Sequence, residues 1–171
     1  MIRLLLAGFV LVAAIDSRAE ISLGQRIDWP AVVDINGKAH APSAFSGRAV
    51  VVVFWASWCP LCRTELPEIK RFHETSRDKE LNVLAVSIDE NPRDVRNYQR
   101  LARLPFPITM QTQALTSALG AVDAIPTTLV FDRRGVLRFR HVGAIDAEQL
   151  HRVTAPLIGG NLRQVFNSTA R

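Results

Sequence analysis

The sequence predicts an α/β fold, a sheet covered by helices, on three observations. Ala49 to Phe54 is an unbroken apolar, largely β-branched run, the pattern of a strand buried on both faces. Directly after it, Cys62, Leu66, Ile69 and Phe72 recur at helical spacing and give a helix one apolar face. Leu81 to Asp89 is a second strong strand, with apolar residues alternating at its start.

Residues 1–19 read as an export signal. Arg3 supplies a positive start, Leu4 to Ile15 an apolar stretch, and Ser17-Arg18-Ala19 a small-x-small cleavage site. Twelve residues in that stretch fall short of the roughly 20 that a membrane-spanning helix needs. Cleavage after Ala19 is the expectation, with a retained membrane anchor as the alternative. No cysteine follows the apolar stretch, which excludes a lipoprotein anchor. Residues 20–160 are expected to form one domain with an ordinary hydrophobic core, and 161–171 a short polar tail.

Within that domain, Val32 to His40 reads as a hairpin turning on Asn36-Gly37, a two-residue turn with positive φ angles. Pro42 to Gly47 is a connecting turn with a helical piece around Ser43 to Phe45. The helix after the first strand carries Pro67 inside it, which should kink it, and runs to about Ser76. Glu90 to Leu104 is helical, started by Asn91-Pro92 and stopped by Leu104-Pro105-Phe106-Pro107, with Val95, Tyr98, Leu101 and Ala102 assigned to one face. A strand around Ile108 to Gln111 and a short helix from Ala114 to Leu119 follow. Ile125-Pro126 stands directly before a strand ending at Asp132. Arg133-Arg134-Gly135 turns into an edge strand, Val136 to Val142. Asp146 caps the last helix, which turns Leu150, Val153 and Leu157 to the sheet and ends at Gly159-Gly160.

The two cysteines of the chain, Cys59 and Cys62, stand as Cys-x-x-Cys where the first strong strand gives way to its helix. The first N–H groups of a helix lack intrahelical partners, and its dipole places partial positive charge there. A thiolate gains more from this than a thiol, so the pKa of Cys59 should lie below that of a free cysteine. Pro60 suits the first helical position, where its missing N–H costs nothing. Cys62 lies one turn deeper on the apolar face. Cys59 is thus the expected exposed attacking thiol and Cys62 the sheltered resolving thiol of disulfide exchange. A purely structural disulfide is the weaker reading, since so short a loop contributes only about 2 kcal/mol of chain entropy. A zinc site lacks paired ligand spacing among His40, His73, His141 and His151, so no metal is expected. Covalent haem attachment wants histidine where Arg63 stands.

Trp58-Cys59-Pro60-Leu61-Cys62, the valine-rich strand before it and Ile125-Pro126-Thr127-Thr128 together resemble the thioredoxin superfamily, most closely its exported, membrane-linked TlpA/ResA/CcmG branch. The likeness covers roughly residues 23 to 158. It implies a thioredoxin-like fold: a central mixed β-sheet flanked by helices, with an N-terminal β-hairpin and an inserted helix–strand element. It also implies a cis bond before Pro126, packed against the cysteine pair, with the backbone of Ile125 left open for a substrate strand. Trp58, Pro60, Leu61, Ile125 and Pro126 are the residues so implicated in substrate binding, and Trp55 is read as core. Glu65, one turn beyond Cys62, matches a glutamate of this branch implicated in the active site, and is expected to handle protons. Thioredoxin itself differs, carrying a buried aspartate where Val53 stands here.

These readings predict a periplasmic protein thiol–disulfide oxidoreductase, with Cys59, Cys62 and Glu65 as its catalytic residues. The redox-active Cys59–Cys62 disulfide takes the place of any cofactor. By resemblance it is a reductase, fed by a membrane thiol donor and acting on apocytochrome c or a copper-site protein, and a monomer is expected. An oxidase or isomerase on the same fold is the first alternative, because direction depends on potential rather than on the motif. A copper chaperone of this fold, which typically spaces its cysteines Cys-x-x-x-Cys, is the second, and a non-catalytic binding module the third. The formal charge of +5 biases encounter rather than fold. Arg133, Arg134, Arg138 and Arg140 read as a solvated hairpin face, and export argues against nucleic acid.

Overall fold

The computed structural model describes residues 20–76 and 80–158. The export signal, its cleavage site, Gly159-Gly160 and the tail 161–171 lie outside the described residues.

The valine-rich run forms β3 (Ala49–Trp55), buried at every position. It pairs in parallel with β4 (Leu81–Ser87) on one side and antiparallel with β6 (Thr127–Phe131) on the other. Short β5 (Ile108–Met110) adds in parallel to β4, and β7 (Leu137–Val142) adds antiparallel to β6. The mixed sheet therefore runs β5-β4-β3-β6-β7, with β7 at an edge as expected.

Because side chains alternate across a strand, β3 feeds two cores. Val51, Val53 and Trp55 meet α1 (Pro60–Thr75) through Cys62, Leu66, Ile69 and Phe72. The same layer contains Val95 of α2 (Pro92–Ala102) and Leu150 of α4 (Ala147–Ile158). Val50, Val52 and Phe54 face the other way, onto Ile27, Trp29, Val32 and Phe45 and onto Leu115 and Leu119 of α3 (Gln113–Leu119). Trp29 packs its indole against Phe45 and Phe131 at centroid distances of 5.2 Å each.

A separate two-stranded sheet, β1 (Val32–Val33) with β2 (Ala39–His40), flanks the main one. It is tied to β5 by the Ile35 N–H donating to the Ile108 carbonyl and the Thr109 hydroxyl donating to the Val33 carbonyl. Its turn differs from the sequence expectation. Gly37 alone has positive φ, at 85°. The loop is closed by Gly37 N–H to Asp34 O and by Asp34 N–H to Lys38 O. This is a three-residue loop, held because the Asp34 carboxylate accepts from the N–H groups of Asn36 and Lys38.

Leu101 also departs from expectation. It is 79% exposed, whereas Val95 is fully buried. A helix advances about 100° per residue, so Leu101 points about 120° away from Val95 while Ala102 points within about 20° of it. The arginine cluster is ion-paired rather than simply solvated. Arg138 holds Asp132 at 2.7 Å, Arg133 holds Glu80 at 2.8 Å, and Arg140 meets Glu20.

Candidate active site

Trp55 ends β3, and α1 begins at Pro60 after four intervening residues. Ala56 to Cys59 make the turn between them, closed by the Cys59 N–H donating to the Ala56 carbonyl at 3.2 Å. Cys59 is the N-cap of α1 and Pro60 its first residue. The Cys59 Sγ accepts a hydrogen bond from the Cys62 N–H at 3.1 Å, so the sulfur occupies the place of a capping oxygen among unpaired helix donors. Cys59 and Cys62 are joined as a disulfide.

The expected contrast in access is one of degree. Cys59 is 5% exposed and Cys62 fully buried. The attacking sulfur is more sheltered than its place at a helix end suggests, because in the oxidised pair it is turned onto its partner and onto the helix cap. Around it, Trp58 and Leu61 are exposed at 63% and 48%, and Pro60 is exposed as well.

The second wall comes from far along the chain. Phe54 lies opposite Thr127 in the β3–β6 register, which puts Pro126 at the end of the sheet from which the cysteine turn emerges. The Ile125–Pro126 bond is cis. Pro126 is buried and Ile125 half-buried. Among the described residues the backbone of Ile125 has no hydrogen-bond partner.

Glu65 lies below the pair on the buried face of α1, only 1% exposed. Its Oε1 accepts from the Thr128 hydroxyl and the Ile145 N–H, each at 3.3 Å, and its Oε2 has no partner. Burial pushes its carboxyl up to about 7, with the two hydrogen bonds pulling back only in part. A carboxyl so placed can hold or release a proton near neutral pH.

Sequence reasoning did not find Thr128 or Ile145 as the supports of Glu65, since they stand 63 and 80 residues away from it. Nor did it find Ser57 and Asp89 as a pair. The buried Asp89 accepts from the Ser57 N–H at 2.8 Å and from the hydroxyls of Ser57 and Ser87 at 2.6 Å each. The one signal available was the aspartate closing the second strand run.

The chain is similar to known proteins in sequence and in fold. Residues 24–140 match the AhpC/TSA family. The chain is 24% identical over 135 residues to the thiol-disulfide oxidoreductase ResA of Geobacillus kaustophilus (strain HTA426), spanning 79% of this chain and 78% of that one. It is 28% identical over 139 residues to the thioredoxin-like protein YneN of Bacillus subtilis (strain 168), spanning 78% and 81%. Among solved structures, StoA from Bacillus subtilis superposes with a TM-score of 0.64 at 25% identity, covering 73% of this chain and 95% of that one. A thioredoxin family thiol:disulfide interchange protein from Chlorobium tepidum TLS shares the fold at a TM-score of 0.72 and 24% identity, over 82% and 100% of the two chains. The chain belongs to the AhpC/TSA family and, within the thioredoxin superfamily, is a ResA/CcmG-like protein carrying the dithiol of a thiol–disulfide oxidoreductase.

Proposed function

We propose that the protein is an exported, periplasmic reductase of protein disulfides, of the kind that serves cytochrome c maturation or copper-site assembly. The observation that carries the reading is the asymmetry of the pair. Cys59 caps the helix between the exposed Trp58 and Pro60, while Cys62 lies fully buried one turn on. In the reduced protein the Cys59 thiolate attacks one sulfur of a substrate disulfide. The other substrate sulfur leaves as a thiolate and takes up a proton. The Cys62 thiolate then attacks Cys59 Sγ, expels the second substrate sulfur, and leaves Cys59–Cys62 oxidised. Two electrons have passed to the substrate, and a membrane thiol donor returns them.

Glu65, with its carboxyl near 7, takes the proton of Cys62 as that thiol becomes the attacking thiolate. An extended substrate segment pairs with the open backbone of Ile125 as an added strand, over Trp58, Pro60, Leu61 and Pro126. No metal or organic cofactor takes part, and the protein acts as a monomer. Haem-site cysteines of apocytochrome c and cysteines of a copper-site protein are the substrates of choice.

The test is the reduction potential of Cys59–Cys62 in protein beginning at Glu20, equilibrated against a thiol buffer. A value of about −230 mV or lower, towards the roughly −270 mV of thioredoxin, supports the reductase. A value near about −120 mV assigns the protein as an oxidant instead.

A further inference from the structure

Beside the cysteine turn, on the side of α2, lies a cleft of about 370 Å³ between Trp58 and Leu101. These two walls are among the most exposed large apolar side chains of the described residues, at 63% and 79%. Asp94, Asn97 and Tyr98 of α2 complete its lining, and the polar groups nearest the cysteine turn answer one another. Asp89 accepts the N–H and hydroxyl of Ser57 together with the hydroxyl of Ser87. Arg63 Nε donates to the Ser57 carbonyl at 2.8 Å, and its guanidinium lies 5.6 Å from the centre of the Tyr98 ring.

We infer that this cleft receives an apolar side chain of the polypeptide substrate next to its reacting cysteine, with Leu101 as a specificity-determining residue. Asp89, Ser57 and Arg63 act as positioning residues that hold Trp58 in place as the facing wall. The inference rests on the protein-disulfide exchange proposed above.

Three features lead to it. The Trp58 wall is the residue immediately before Cys59, so the cleft continues the face on which exchange occurs. All three polar groups of Ser57 are engaged, and Cys59 N–H closes the turn on Ala56. Trp58 is thus an exposed aromatic on a backbone fixed from both sides, which loses little freedom on contact. Finally, Asp89 already accepts three donors, and Arg63 donates its Nε to Ser57 with its guanidinium over Tyr98, so the polar groups next to the cysteine turn are engaged, while Trp58, Tyr98 and Leu101 present apolar surface to the cleft beside Asp94 and Asn97.

The experiment uses two synthetic peptides, each closed by an intramolecular Cys-x-x-Cys disulfide and flanked on both sides by leucine or, in the second, by serine. Protein beginning at Glu20 is reduced, freed of reductant, and mixed with each. The second-order rate constant for peptide reduction is expected to favour leucine about tenfold, the discrimination that partial burial of one leucyl side chain supplies. Leu101→Ser, an exposed position whose change leaves the core intact, is expected to bring the ratio to about one. Arg63→Gln is expected to lower the ratio in the wild-type background and to change nothing in a Trp58→Ala background, since Arg63 acts through Trp58.

Equal rates for the two peptides with the wild-type protein overturn the inference. So does a ratio that survives Leu101→Ser. An Arg63→Gln effect that persists undiminished without Trp58 overturns the positioning role. If the reduced wild-type protein reduces neither peptide nor the small disulfide DTNB, then disulfide exchange itself fails, an outcome distinct from lost discrimination.

Discussion

Glu65 enters the fold with a carboxylate that its surroundings cannot solvate. Its unfolded carboxyl titrates near 4.5 and its folded one near 7, raised by burial. Between those values the native state holds a proton that the unfolded chain has lost, so stability falls as pH rises through that window and levels off above about 7. The span corresponds to roughly 3 kcal/mol. Urea midpoints at pH 5 and pH 8 are expected to show this loss in the wild type, and Glu65→Gln is expected to remove most of it. An unchanged slope in the variant would assign the effect elsewhere. The cysteines make a second prediction at this scale. After reduction, iodoacetamide is expected to label Cys59 and spare Cys62, with half-maximal rate below the free-cysteine pKa of about 8.5. Peptide mass mapping across pH reads both. The Cys-x-x-Cys pair and the offset of Glu65 were legible in the sequence because both lie within the first two turns of one helix. The degree of Glu65 burial was not, because its cover arrives from Thr128 and Ile145.

Elements carry their own constraints. The β6–β7 hairpin turns on Gly135 at φ 76°, where an added Cβ would stand 2.8 Å from the Ile27 carbonyl oxygen. Asp132 braces the same turn, accepting from the N–H groups of Arg134 and Val136 and from Arg138. Burial alone would raise its carboxyl, but these partners outweigh burial and hold it below the ordinary value. Gly135→Ala is expected to destabilise the protein by about 1–3 kcal/mol in chemical denaturation, through backbone strain and the Ile27 contact together. A loss under half that would show that the turn relaxes. Turn residues and helix starts were readable from local chemistry: Asn91, Pro92 and Asp146 do what their types predict. The exposure of Leu101 and the geometry of the β1–β2 loop were not. The first depends on which part of α2 meets the sheet. The second depends on the Asp34 side chain competing for backbone donors.

At the scale of the whole molecule, β3 lies between β4 and β6 and is covered on both faces by the two cores. Its amides should open only when the molecule unfolds. The β1–β2 sheet has two residues in each strand and few ties to β5, so it should open locally at lower free energy. Native-state hydrogen exchange is expected to give β3 the global unfolding free energy and the hairpin a value several-fold lower. Equal protection of the two would show that the hairpin folds as part of the main sheet.

The sequence by itself determined the α/β class, the buried central strand, the cysteine pair at the start of its helix and the proline opening β6. Each of these is written in local pattern, where periodicity, helix-end chemistry and backbone restriction act over a few residues. Only the tertiary structure decided which distant groups meet. It sets the Ile125–Pro126 bond at the same end of the sheet as Cys59, seals Glu65 beneath Thr128 and Ile145, and ties Ser57 to Asp89 across 32 residues. Those contacts depend on strand order and register, and neither is a property of any single stretch of chain.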